Sequence, residues 1–189
     1  MKIVAGLRKT RLPDADSLEF ADERGFTRGH DNPKLAHLDE LKRRLLSIGG
    51  WAVVLREQEP DLDAILSRGV LLSGDDAVQD VAEDSQCHFN SGMQHLLNPK
   101  GRAIMTGYAL SDDGTWRQHS WIYDRAGDAV VETTEKRVGY LGVLLDDLES
   151  ITFCTRNVPY SSEAHELVSS HPAFSDYLAG SEVQRPSES

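Results

Sequence analysis

Residues 116–134, WRQHSWIYDRAGDAVVETT, contain two β-strand patterns separated by a short polar turn. β-Branched and aromatic residues on both sides of the turn favour strands at 116–123 and 128–134, joined as an antiparallel hairpin. Because side chains alternate between the two faces of a strand, His119 and Trp121 share one face of the first strand. The stretch therefore predicts an antiparallel sheet that carries an imidazole beside an indole.

The pairing register of this hairpin decides which residue faces the imidazole. If the turn closes with Tyr123 opposite Asp128, antiparallel pairing sets His119 opposite Glu132, close enough for a hydrogen bond. A three-residue loop that ends in a glycine bulge would instead set Thr133 opposite His119 and turn Glu132 to the other face. Both registers are compatible with the residues of the turn.

A second stretch, SQCHFNSGMQHLL at residues 85–97, predicts an amphipathic helix that begins near Cys87 and is capped by Asp84 or Ser85. The unpaired N–H groups and the positive dipole end of a helix N-terminus favour a thiolate, and the same amides can bind an oxyanion. Cys87 is thus a candidate nucleophile. The alternative role is structural, since free cysteine is often a small buried hydrophobic residue.

Short motifs around the hairpin carry a family resemblance. In chain order they are TGYAL at 106–110, HSW at 119–121, ETT at 132–134 and YLGV at 140–143. Together with a cysteine at a helix start, they resemble the GYA, H-[AS]-W, [DE]-x-T and Y-x-G-V elements of the papain-like and transglutaminase-like cysteine hydrolases. The short interval between cysteine and histidine favours the compact transglutaminase-like arrangement over papain itself.

The resemblance implies a catalytic triad and an activity. By position, Cys87 would be the nucleophile, His119 the general base and Glu132 the acid that orients the imidazole. Such a triad implies acyl transfer on an amide through a thioester on Cys87, as in a peptidase, amidase, deamidase or amine-accepting transferase. The expected substrate is a peptide, a protein side-chain amide or a small amide, and no cofactor or metal is required.

Four further residues are candidates for substrate or oxyanion contacts. Gln79 and Gln86 precede the cysteine, as the oxyanion-hole glutamine of papain-like enzymes does, but either can equally be a solvated surface amide. Asn90 lies one turn beyond Cys87 and can orient the substrate or cap a loop. Trp121 can shield the imidazole or line a groove, and its alternative role is that of a core aromatic.

The amino-acid composition of the chain narrows the kinds of molecule that the protein is expected to bind and the compartment in which it is expected to occur. The formal net charge is −11, from 31 acidic and 20 basic residues, and such a surface repels the phosphate backbone of nucleic acids. No window approaches the ~20 apolar residues of a membrane helix, and the N-terminal apolar run is too short for a secretory signal. Two cysteines do not make a disulfide framework, so we expect a free thiol and a cytoplasmic location.

The order of the predicted elements indicates an α+β fold in which the nucleophile helix packs on an antiparallel sheet, with additional N-terminal helices. We expect a short strand at KIVAGL, residues 2–7, a helix at 35–48, a strand in WAVVL, a short helix between Pro60 and Gly69, and a helix or ordered loop at 70–84. A strand is expected at 102–110, an ambiguous segment at 140–154, and one or two serine-capped helices after it.

The predicted organisation is a single domain over 1–180, with a helical or mixed portion at 1–80, a catalytic core at 81–150, C-terminal helices at 151–180 and a disordered tail at 181–189.

Two other hypotheses compete with a cysteine hydrolase. The first is a zinc site, and a zinc-dependent hydrolase, built from Cys87, His88, His95 and His119 with Glu132. His88 and His95 lie seven residues apart on one helix rather than four, and no C-x-x-C motif accompanies them. The second is a non-catalytic binding or immunity-type protein on the same fold, for which the acidic surface is suitable.

Overall fold

The computed structural model describes residues 33–56 and 59–183. The strand expected at residues 2–7 lies outside the described residues, as do residues 184–189 of the expected tail. The described chain is mixed α+β, as predicted. In this part of the chain, no helix is long and apolar enough to cross a membrane.

Helices lie at both ends of the described chain, and one lies in its centre. They are α1 (Pro33–Ile48), α2 (Leu62–Arg68), α3 (Cys87–Leu97), α4 (Asp147–Asn157), α5 (Ser162–Ser169) and α6 (Phe174–Val183). The predicted helices at 35–48 and near 61–68 are confirmed, and the Ser161 side chain caps α5. The last helix reaches Val183, so the predicted tail starts too early.

Seven strands form one mixed sheet. They are β1 (Ala52–Val54), β2 (Val70–Ser73), β3 (Val78–Gln79), β4 (Arg102–Leu110), β5 (Thr115–Asp124), β6 (Ala129–Glu132) and β7 (Gly139–Leu144). The sheet order is β2-β7-β4-β5-β6-β3, and β1 pairs with β5. The predicted antiparallel meander β4-β5-β6 is present, whereas β1 and β3 add in parallel to β5 and β6.

Two segments differ from the sequence-based prediction. Residues 70–84 contain β2 and β3 rather than a helix or loop, because the short apolar run VLLS pairs with the distant strand β7. The ambiguous segment 140–154 divides into β7 and α4. Helix α4 begins with a capping box in which the Asp146 carboxylate accepts from the Glu149 amide, and the Glu149 carboxylate accepts from the Asp146 amide.

The predicted hairpin register is wrong by two residues. Tyr123 pairs with Val130 and Asp124 with Ala129, which makes residues 125–128 a four-residue loop. Within this loop the Asp124 carboxylate accepts from the Ala126 amide, and Asp128 adopts a left-handed φ of 49°. Since the shift is an even number of residues, Glu132 stays on the same face as His119.

The sheet separates two apolar clusters. The larger lies between the sheet and the helices, and includes Leu41, Leu45, Ile65, Leu96, Trp116, Ile122, Phe153 and Cys154. The smaller lies on the opposite face and consists of Leu72, Met105, Ala109, Trp121, Val130 and Tyr140. His119 and Glu132 extend from this second face.

A buried histidine pair connects α3 to the α5–α6 turn. The His95 and His171 Nε2 atoms lie 3.0 Å apart, and both side chains are buried. His95 Nδ1 donates to the Arg102 carbonyl, whereas His171 Nδ1 accepts from the Ala173 amide. His171 Nε2 is therefore the donor and His95 Nε2 the acceptor, so both rings are neutral.

This pair makes stability sensitive to acid. Burial lowers the pKa of His95 and of His171 below that of a free imidazole, so the unfolded state takes up protons first as the pH falls below about 6.5. We expect the free energy of unfolding, from urea titrations, to fall between pH 8 and pH 5. His171→Gln keeps the donor without titrating and should reduce this slope. The exposed His165→Gln should leave it unchanged; equal slopes for the wild type and H171Q would contradict this assignment.

Gly142 provides the space that the Trp121 ring occupies. A Cβ at this position would lie 2.6 Å from Trp121 Cη2 and 2.4 Å from the Thr106 carbonyl oxygen. Because overpacking in a closed core is costly, we expect Gly142→Ala to lower the free energy of unfolding by about 2 kcal/mol. Gly180→Ala in α6 is the control, since a Cβ there meets nothing within 4 Å. Equal stability of the two variants in urea would refute the packing argument.

Candidate active site

An opening in the edge of β5 receives the start of helix α3. Strand β4 pairs along one edge of β5 from Trp116 to Asp124. The other edge is shared by β1, as far as Arg117, and β6, from Ile122, and in the described chain neither strand reaches the residues between them. The first residue of α3, Cys87, lies at this opening, where the Ser120 backbone N–H is close enough to the sulfur to lower the pKa of the thiol.

His119 and Glu132 form a buried pair on the adjoining face. His119 Nε2 lies 3.0 Å and 2.9 Å from the two carboxylate oxygens of Glu132, which is fully buried. The carboxylate also accepts from the Thr134 amide and hydroxyl, both at 2.9 Å, and from the Tyr140 hydroxyl at 3.0 Å. Burial alone would raise the pKa of Glu132, but hydrogen bonds and the charge of His119 outweigh burial and lower it.

The Cys87 thiol interacts with the His119 imidazole on the side of the ring that does not face Glu132. Because Nε2 faces the carboxylate, Nδ1 is the ring nitrogen left for Cys87. Burial raises the pKa of the thiol, yet the hydrogen bond and charge of His119 and the Ser120 amide lower it below its usual value. Burial lowers the pKa of His119, whereas hydrogen bonds with Cys87 and Glu132 raise it to about 9. Both shifts favour the thiolate–imidazolium form of this pair, relative to the free side chains.

The second cysteine has the opposite environment. Cys154 is fully buried in α4, and burial raises the pKa of its thiol to about 12. Both cysteines are free thiols. The pKa values of the two thiols are therefore shifted in opposite directions, because His119 stabilises the Cys87 thiolate and burial alone acts on Cys154.

Two aromatic rings cover the imidazole. Trp121 and Tyr140 stack on His119 with ring centroids 6.2 Å and 6.4 Å from it. Both rings are fully buried. In the described part of the chain, the indole N–H of Trp121 has no hydrogen-bond acceptor. Trp121 thus shields the His119–Glu132 pair as a core aromatic and does not line an open groove.

The two glutamines predicted as candidate oxyanion donors both lie on the surface of the protein. Gln86 is the exposed N-cap residue of α3, where no side chain caps the helix, so the predicted caps Asp84 and Ser85 are wrong. Gln79 is exposed on β3, opposite Glu132 in the register.

Asn90 is part of the support of the nucleophile helix. Its amide nitrogen donates to the carbonyls of Glu83, at 2.7 Å, and of Thr133, at 3.4 Å, and its side chain is buried. It therefore holds the segment before Cys87 against the end of β6. Asn90 is predicted either to orient the substrate or to cap a loop, and these hydrogen bonds correspond to loop capping.

Several residues of the site were not predicted individually. Thr134 and Tyr140 belong to the ETT and YLGV motifs, yet a pattern of letters does not indicate that their hydroxyls converge on Glu132. From its sequence position alone, His88 is expected at the surface or at an interface. Its Nδ1 instead lies 2.6 Å from the Ser120 hydroxyl oxygen, beneath the helix.

A cavity of about 1000 Å³ adjoins the site on the helical face of the sheet. Its lining includes His88 and Gln118, the chain neighbours of Cys87 and His119, together with Arg56, Glu59, Asp61 and Phe153. The Glu59 carboxylate accepts from the Tyr108 hydroxyl at 2.9 Å and from the Gln118 amide at 3.2 Å. The three triad residues lie outside this lining.

The predicted zinc ligands do not come together. His88 contacts Ser120, His95 contacts His171, and His119 Nε2 faces Glu132. Among the residues that the structure describes, no group of three potential ligands surrounds a common point. In the described chain, the residues of the zinc hypothesis therefore have separate partners.

Comparison with protein-family models, with curated proteins and with solved structures gives no match for this chain. The function therefore has to be inferred from the site itself.

Selective alkylation tests the electrostatics of the site. We expect iodoacetamide to modify Cys87 with an apparent pKa below that of an ordinary thiol, because only the thiolate reacts and His119 stabilises it. Cys154 should stay unmodified until the protein unfolds. Peptide mass spectrometry over pH 5 to 9 measures both rates. In His119→Ala the apparent pKa of Cys87 should rise, and equally slow labelling of both thiols in the wild type would contradict the assignment.

Proposed function

We propose that this protein is a cysteine-dependent acyl-transfer enzyme that acts on an amide. The observation that carries the proposal is the convergence of a thiol at a helix N-terminus with a buried imidazole whose far nitrogen meets a buried carboxylate. Nucleophile, base and orienting acid in hydrogen-bonded order are what thioester chemistry requires. A helix N-terminus set against a strand that bears the histidine also supports a papain-like or transglutaminase-like core.

In the proposed reaction, Cys87 acts as the nucleophile and His119 transfers the protons. The Cys87 thiolate attacks the carbonyl carbon, and its electron pair forms the C–S bond while the carbonyl oxygen becomes an oxyanion. The oxyanion re-forms the carbonyl and expels the amine, which takes a proton from the His119 imidazolium. His119, now neutral, deprotonates water or an acceptor amine, which attacks the thioester and releases Cys87 as thiolate.

The N-terminus of α3 supplies the oxyanion stabilisation in this proposal. The first-turn amides of the helix have no side-chain cap, and the positive end of its dipole favours negative charge there. The Cys87 backbone N–H is the first donor. Gln86 and Gln79, both exposed, stay predictions for the second.

The burial of the titratable side chains His119 and Glu132 beside a half-buried thiol supports catalysis over a purely binding role. Buried polar and charged groups cost stability unless they are paired, and an apolar cluster of the same volume would hold the sheet together equally well. Two free thiols and no disulfide are typical of a reducing compartment, which supports a cytoplasmic location. Candidate substrates are peptides, protein side-chain amides and small amides; the acidic chain does not favour nucleic acid.

An acyl-enzyme trap tests the mechanism without knowledge of the substrate. With 4-nitrophenyl acetate as acyl donor, intact-mass spectrometry after an acid quench should show one acetyl group, mapped to Cys87. Cys87→Ala and His119→Ala should abolish the adduct with little loss of fold, whereas Glu132→Gln should slow acylation by about ten-fold to a hundred-fold. Cys154→Ala is the matched control and should acylate normally; acylation of C87A at the wild-type rate would end the proposal.

The pH profile of acylation should have two limbs when the acyl donor is an amide, such as 4-nitroacetanilide, whose leaving amine must be protonated. Acylation should rise as Cys87 ionises, below the usual thiol pKa, and fall as His119 loses its proton near pH 9, since the leaving amine then lacks a proton donor. In the presence of a primary amine, a shift of product from acid to amide would identify a transferase rather than a hydrolase.

A further inference from the structure

A second hydrogen bond joins α3 to β5 on the side of the strand opposite the catalytic imidazole. His88 follows Cys87, and Ser120 follows His119 along the chain. His88 Nδ1 lies 2.6 Å from the Ser120 hydroxyl oxygen. The residues next to the nucleophile and next to the base are therefore bonded to each other, as the nucleophile and base are.

The direction of this bond follows from the neighbour of Ser120. The Ser120 hydroxyl donates to Thr106 Oγ1 at 3.2 Å, so its oxygen is left to accept from His88. His88 Nδ1 therefore carries a proton. Burial, together with the charges of His119 and Arg56, lowers the pKa of His88 to about 4, which keeps this ring neutral at pH 7. The edge of the His88 ring packs on Phe153 of α4, with centroids 5.9 Å apart.

Ser120 contacts the helix N-terminus in two ways. Its side chain, fully buried, receives the His88 bond on the helical face, and its backbone N–H, at the strand edge, lowers the pKa of the Cys87 thiol. Since the side chains of successive strand residues point to opposite faces, His119 extends to the other face. The start of α3 is thus held to β5 on both sides of the sulfur.

We propose that His88 and Ser120 are positioning residues, whose hydrogen bond fixes the distance and direction between the Cys87 sulfur and the His119 imidazole. This inference rests on the proposed function. A displacement of reacting groups by about 1 Å costs on the order of a hundred-fold in rate, so a constraint beside the sulfur has a direct catalytic consequence. Neither residue contacts the reacting atoms through its side chain.

The experiment compares variants that remove the bond with one that retains it. Ser120→Ala removes the acceptor and His88→Leu the donor, while His88→Asn places an amide N–H near the position of Nδ1–H. For S120A and H88L we expect the apparent pKa of Cys87 alkylation to rise by about one unit and acetylation by 4-nitrophenyl acetate to slow by about ten-fold. H88N should restore most of both, and the exposed His165→Leu should change neither.

These readouts distinguish a positioning role of His88 and Ser120 from a structural role. They also distinguish a failure of this inference from a failure of the proposed function. A structural role alone would lower the melting temperature of S120A and H88L but leave the Cys87 pKa unchanged, which would overturn the inference. If wild-type Cys87 itself titrates as an ordinary thiol, the proposed function fails first. If the wild type shows the lowered pKa and acylates but all His88 and Ser120 variants do the same, only the positioning role fails.

Discussion

The buried hydrogen bonds between the His119 imidazole and the Glu132 carboxylate constrain the rest of this structure. A carboxylate without solvent is tolerated only if its lone pairs find donors, and here the donors come from two strands and the segment that follows a third. His119 is on β5, Tyr140 on β7 and Thr134 in the segment after β6. The order β7-β4-β5-β6 brings these elements to one face of the sheet. The strand order that forms the sheet is therefore also what surrounds the Glu132 carboxylate with donors.

The position of the sulfur depends on a different feature, the divided edge of β5. If β1 or β6 continued along this edge, the Ser120 amide would bond to a strand and the helix N-terminus would be excluded. Both strands are short, so the opening is four residues long, from 118 to 121, between the last pair with β1 at Arg117 and the first with β6 at Ile122. A thiol at the start of a helix thereby meets a histidine on a strand.

Much of this site could be predicted from local patterns, because alternation of side chains is insensitive to an even change of register. His119 and Glu132 share a face whether the loop has two residues or four. The loop length itself depends on hydrogen bonds of Asp124 and on the left-handed backbone of Asp128, which no strand pattern contains. Strands β2 and β3 could not be predicted for a related reason, since each consists of two to four residues that pair with distant parts of the chain.

The charges of the site explain why Glu132 has three hydrogen bonds besides those with His119. In the thiolate form that the proposed mechanism requires, the imidazolium lies between two anions and stabilises both. In that mechanism, once His119 has given its proton to a leaving group and the sulfur is acylated, the carboxylate is the one charge left among the three groups. The Tyr140 hydroxyl and the Thr134 amide and hydroxyl then stabilise it without the histidine. Without them, Glu132 would compete for the proton that the next step requires His119 to exchange with water or an amine.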